Sequence, residues 1–235
     1  CNHGSVTGWS VAGYSNTHVN ALTNVGKLPF IISVACVNGD FKTNFCFAEA
    51  WTRASHNGEH TGAIATMMST INQAWQPPMH AQDEMTNILT ENFQNNIRRT
   101  FAGVGVNGSM IMVDQYGATG KETHDTWVVF GDPSLLVRTD VPQEMTVSHN
   151  PTLFLGSSTF AVSSDAEGAV ATLSYTNQDG NVMIVGTGVV ENGNVTIDFA
   201  EPITQPLDLT LAIVAFNKVT YMSEVSAVPA DEPYV

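Results

Sequence analysis

The apolar positions of this chain follow two different rules on either side of residue 141. In the first 140 residues they come in solid runs and helical stripes. "KLPFIISVAC" (27–36) and "TGAIATMMS" (61–69) are continuous apolar runs, which predict strands buried on both faces. "FCFAEAWTRASHNG" (45–58) puts Phe45, Ala48 and Trp51 or Thr52 on one helical face, with Gly58 as its stop. "DEMTNILTENFQNNIRRTFAGV" (83–104) spaces Met85, Ile88, Leu89, Phe93 and Ile97 as a helix does. "GSMIMVDQYG" (108–117) fits a short helix or a strand, and "DTWVVFGDPSLLV" (125–137) a strand closed by a Gly-Asp-Pro turn. Strand–helix–strand alternation predicts an α/β domain with a mostly parallel sheet.

Beyond residue 141 the period falls to two. "EMTVSH", "STFAVSSD", "GAVATLSYT", "NVMIVGTGVVE", "GNVTIDFA" and "LDLTLAIVAFN" are short runs rich in Val, Thr and Ile. The turn formers "DAEG", "QDGN" and "ENGN" separate them, and "ENGN" predicts a hairpin. Six or seven strands of this kind predict an all-β, immunoglobulin-like sandwich without its disulfide. The reading is therefore two domains, 1–140 and 141–235. No constellation able to do chemistry stands in the second.

Composition narrows the classes. Of 235 residues, 43% are apolar and 13% charged, which suits a folded chain. Lys and Arg number 8 against 22 Asp and Glu, a net charge of −14. That argues against nucleic-acid binding and against anionic membrane surfaces, and fits a secreted, soluble protein or one that meets cationic substrates or calcium. No apolar run is long enough to be a transmembrane segment. The chain begins "CNHGS" and not with Met, so a piece of a longer protein is expected.

Candidate chemistry lies in "CNHGS" and "SVACVNGD". Cys36 stands where a buried strand gives way to the turn formers Asn38-Gly39-Asp40. The carboxyl ends of strands in an α/β sheet are where ligands bind. His3 precedes Gly4, and a glycine there lets a substrate approach the backbone closely. Neighbouring strands could bring His3 and Cys36 to one edge, with the N–H groups of Gly4 and Cys36 aimed at one developing oxyanion. The competing reading is an inert, buried thiol. Asp83 and Glu84 read as charges at a helix N-terminus. His56, His60, His80, His124 and His149 show no metal-ligand spacing, and HExxH and CxxC are absent.

Taken in order, "NHGS", "SVACVNGDF", "CFAEA", "STINQAWQPPM", "QDEM", "NNIRRTF" and "DTWVVFGDPSLLVRT" resemble the gingipain family of cysteine peptidases. "INQAWQPPM" is closer to its arginine-specific members. "VVENGNVTIDF" and "LTLAIVAFNK" resemble the immunoglobulin-like domain that follows the catalytic domain in that family. The resemblance implies a caspase-like α/β fold and a thiol endopeptidase of the arginine-cleaving kind, with no catalytic cofactor. It implies His3 as catalytic histidine, Cys36 as nucleophile, and the Gly4 and Cys36 amides as oxyanion hole. Val34, Trp75 and Met79 would form the pocket for a basic P1 side chain, with Trp75 in an exposed, proline-rich loop. The third catalytic carboxylate and the acid that pairs the basic group would lie upstream, in the partner half of the catalytic domain. A structural Ca2+ would take the Phe41 carbonyl and Glu49, with its other ligands from that half. Two alternatives stand beside this reading: a clostripain-like enzyme of other specificity, and a non-enzymatic adhesive remnant. An acid aimed at the P1 pocket separates them.

Overall fold

The computed structural model describes residues 1–42 and 45–230. The chain forms two compact units, Cys1–Val137 and Arg138–Val235. The first opens with three two-residue antiparallel strands, β1 (Gly4–Ser5), β2 (Gly8–Trp9) and β3 (Tyr14–Ser15), followed by the short helix α1 (Asn16–Asn20). There follow β4 (Phe30–Ile32), α2 (Phe47–Arg53), the hairpin β5 (Ser55–His56) and β6 (Glu59–His60), and β7 (Ala65–Ser69). Two long helices, α3 (Gln76–Leu89) and α4 (Phe101–Thr126), lead into β8 (Trp127–Phe130).

The central sheet has the order β4-β7-β8. β4 pairs with β7 in parallel, and β8 joins the other side of β7 antiparallel. All five residues of β7 are buried, as its unbroken apolar run predicts. β4 is shorter than its run: hydrogen-bonded strand stops at Ile32, and Ser33-Val34-Ala35 continue buried into the turn that holds Cys36.

Three elements differ from expectation. The helix α2 ends at Arg53, and Asn57-Gly58, at φ 54 and 85, forms the tight turn of the β5–β6 hairpin instead of a helix stop. The helix expected over 83–104 starts seven residues earlier, because Pro77 and Pro78 sit in its first turn, where a missing N–H costs nothing. It stops at Leu89, before the left-handed Glu91 and the asparagines that follow. Asp83 and Glu84 consequently lie inside α3, whose first turn holds no acid. "GSMIMVDQYG" belongs wholly to α4, which bends at Gly117, where φ 55 and ψ −129 suit only glycine.

Among its described residues the second unit is a sandwich of eight strands: β9 (Val147–His149), β10 (Thr152–Phe154), β11 (Thr159–Ser164), β12 (Val170–Thr176), β13 (Val182–Val189), β14 (Asn194–Asp198), β15 (Leu207–Val214) and β16 (Tyr221–Val228). One sheet runs β10-β16-β15-β12-β13 and the other β14-β11-β9. Between them lie Leu173, Ile197, Leu211, Ile213 and Val225, all fully buried. "ENGN" does make a tight turn, with Asn192 and Gly193 at positive φ. Only Glu191 and Asn194 pair across it, however, because β13 and β14 then enter different sheets. The turn chemistry is local, whereas the partner of each strand is chosen by the core.

Candidate active site

The turn after β4 presents Cys36 at the carboxyl end of a parallel strand. Residues 2–5 run beside it. The Asn2 N–H donates to the Val34 carbonyl at 2.9 Å, and the His3 carbonyl accepts from the Ser10 N–H at 2.8 Å. Gly4 lies directly on the Cys36 backbone. A Cβ at that position would stand 2.2 Å from the Cys36 oxygen and 2.7 Å from its nitrogen, so no other residue fits without displacing the turn. Among the described residues the Cys36 N–H finds no backbone acceptor, whereas the Val37 N–H donates to the Ile71 carbonyl.

An open cleft of about 140 Å³ lies here, lined by Asn2, His3, Val34, Cys36, Gln73 and Trp75 among others. Cys36 is half-buried, and its Sγ stands 3.8 Å from the Gln73 carbonyl oxygen. Both polar atoms of the Gln73 side chain are buried without a hydrogen-bond partner. The His3 ring packs edge-on against Trp75, with centroids 5.1 Å apart. Trp75 is 48% exposed, so about half of its surface is not committed to the core. It does not sit in a loop proper. It is the N-cap residue of α3, held by the helix that the two prolines start. Met79 lies one turn on, 43% exposed and adjacent to Trp75 through the first helical hydrogen bond, but outside the cleft lining.

Val37, next to the thiol, has φ 49. A β-branched side chain is poorly tolerated there, and such strain persists only where neighbours hold it. Asn38 supplies part of that hold. It is fully buried, its Nδ2 donates to the carbonyls of Ser5 (2.7 Å) and Gly8 (3.0 Å), and its Oδ1 accepts from Ser33 Oγ at 3.0 Å. Ser33 Oγ in turn accepts from Trp9 Nε1 at 2.9 Å. The sequence marks Asn38 only as a turn former. Nothing in periodicity distinguishes an exposed turn asparagine from a buried one.

Among the described residues the two expected calcium ligands, the Phe41 carbonyl and Glu49, do not make a site by themselves. Glu49 Oε2 accepts from the Cys46 N–H at 2.9 Å, capping α2, and Oε1 faces Arg53 at 4.0 Å. Calcium needs six to eight oxygens, and among the described residues no three His, Cys, Asp or Glu side chains cluster. Several histidines away from the cleft have partners of their own: His60 with the Ala63 carbonyl, His124 with Ser109, His149 with Tyr221.

Residues 1–138 match peptidase family C25, and residues 149–228 match the C-terminal ig-like domain of the same family. The chain belongs to peptidase family C25. It is 48% identical over 240 residues to Gingipain R2 of Porphyromonas gingivalis, covering 99% of this chain and 32% of that protein. With Gingipain R1 of the same species the identity is 47% over 233 residues, or 99% and 23%. The crystal structure of the Arg-specific cysteine proteinase gingipain R superposes with a TM-score of 0.89 at 49% identity, over 97% of this chain and 52% of that one. The C25 chain described here thus spans about half the solved relative and about a third of Gingipain R2. The likeness establishes the caspase-like α/β fold with a following immunoglobulin-like domain as the architecture.

Proposed function

We propose that this C25 chain carries the nucleophile and histidine of a cysteine endopeptidase that cleaves after arginine. In this reading Cys36 Sγ attacks the scissile carbonyl carbon. The resulting oxyanion is held by the N–H groups of Gly4 and Cys36. His3 delivers the thiol's proton to the leaving amine, and water then hydrolyses the thioester. The observation that carries the reading is the seating of Gly4 on the Cys36 backbone, with His3, Cys36 and Trp75 lining one cleft. Val34 forms the floor of that cleft. Trp75 offers a flat wall for an alkyl stem and a guanidinium face, and Met79 closes over it as a flexible lid.

No carboxylate lines the cleft among the described residues. The acid that pairs the basic P1 group, and the third catalytic carboxylate, come from the upstream half of the catalytic domain, which is this chain's first partner. Peptides and proteins with basic P1 residues are its substrates. A structural calcium touching the Phe41 carbonyl and Glu49 would draw most of its oxygens from that half. Secretion or display on a bacterial surface belongs to the same reading, and the gingipain likeness supports it. No helix among the described residues is long and apolar enough to cross a membrane.

The test is cleavage of Arg and Lys peptides by this chain alone and by the chain joined to its upstream residues. Activity only in the joined protein, preferring Arg and lost in Cys36→Ala, is the expected result. Equal cleavage after unrelated residues would favour an enzyme of the same architecture with another specificity. No cleavage by either form would favour a non-enzymatic role.

A further inference from the structure

We infer that Asn38 is a positioning residue that sets the geometry between His3-Gly4 and Cys36. The inference rests on the His3–Cys36 reading above. Two residues past the thiol, the Asn38 carboxamide spends all its hydrogens on the turn that follows His3 and Gly4, at the Ser5 and Gly8 carbonyls. Its oxygen is held by Ser33, the residue that leaves β4 three positions before Cys36, and Ser33 is held by Trp9 of β2. The main chain adds two more ties: the Gly39 N–H to Ser69 at 2.8 Å, and the Asn38 carbonyl to the Ala48 N–H of α2 at 3.0 Å.

One side chain thus bonds both segments that bear the candidate chemistry. An apolar residue of similar size would fill the space but leave the Ser5 and Gly8 carbonyls without this donor. What the asparagine adds is direction, because a carboxamide with three partners accepts one arrangement of the two backbones. It also braces Val37, whose left-handed backbone lies between the thiol and Asn38.

The experiment uses the full chain carrying Cys1→Ser, so that Cys36 is the accessible thiol while Cys46 stays fully buried. Two reagents are compared by mass spectrometry at the Cys36 peptide. Methyl methanethiosulfonate reports the thiol alone. Chloroacetone adds a ketone that the Gly4 and Cys36 N–H groups and His3 can polarise, and it needs no P1 pocket. The ratio of the two rates reads the geometry. His3→Ala should lower the ratio about ten-fold. Asn38→Asp, which keeps the shape but loses both N–H donors, and Asn38→Ala should lower it by about ten-fold as well. The thiosulfonate rate should stay within about two-fold, and the melt should stay cooperative. Ser33→Ala, which frees the carboxamide oxygen and the Trp9 indole N–H but leaves both Asn38 N–H bonds in place, should lower the ratio by about three-fold.

A folded Asn38 variant with an unchanged ratio, beside a His3→Ala ratio that falls, overturns the inference. An unchanged ratio in His3→Ala overturns the dyad reading beneath it. If neither Asn38 variant melts cooperatively, Ser33→Ala decides, and a parental ratio there overturns the inference.

Discussion

In the sandwich, inward residues of β11 and β14 alternate strictly with exposed ones, and the buried set is almost wholly apolar. In the first unit the buried set includes Ser33, Asn38, Thr61, Thr66 and Ser69, and a strained valine adjoins a half-buried thiol. The sandwich pattern derives stability from area removed from water. The other gives some of that up to hold backbones in one relation. The contrast teaches where change is tolerated: a core made of apolar area responds to lost volume, whereas a site made of close backbones responds to a single added carbon.

The sharpest way to break the comparison is Leu173→Ala, at a fully buried sandwich position. It should cost about 2–5 kcal/mol in stability, seen in a denaturant titration, with the Cys36 reagent ratio unchanged. A shift of that ratio would show that the two units are not independent. Gly4→Ala should cost about 1–3 kcal/mol, since its Cβ would overlap the Cys36 backbone. Unlike Leu173→Ala, it should also lower kcat/KM in the joined protein by about a hundred-fold. Normal activity in Gly4→Ala would remove the main support for the oxyanion hole.

Trp75→Ala should weaken Arg substrates by about 1–3 kcal/mol in transition-state binding, while shifting the melt little, because the indole is half exposed. A large fall in Tm with an unchanged Arg-to-Lys ratio would make Trp75 a packing residue. The smallest effect concerns pH. Burial, joined by the adjacent Glu49 carboxylate, pushes the Cys46 thiol up from 9.0 to about 11. A thiol held neutral in the fold contributes stability that is whole below about pH 9 and lost as pH rises toward 11. Cys46→Ala should flatten that part of the stability curve. Identical curves would mean that the thiol titrates alike in both states.

Much of the architecture could be read from local pattern. The solid apolar runs became β4 and β7, and each of the six period-two runs became a strand of the sandwich. Only β10, three residues long, and β16, diluted by Ser223, Glu224 and Ser226, escaped. Helix limits were less legible. Pro77 and Pro78 look like loop residues in a string, yet in three dimensions they open α3.

By itself the sequence determined the two periods, the change between them near residue 141, and the glycine, cysteine and turn formers that mark a candidate site. Those are properties of residues near one another in the chain, where propensity and periodicity act. Tertiary structure decided that β8 runs antiparallel, that β13 and β14 part into different sheets, and that His3, Cys36 and Trp75 line one cleft. It also decided that Gly4 admits no Cβ and that Asn38 is buried with every polar atom of its side chain engaged. The reason is that each of these depends on a backbone about thirty residues or more away pressing to within a bond or a van der Waals contact. A linear pattern carries no record of which distant segment will do so.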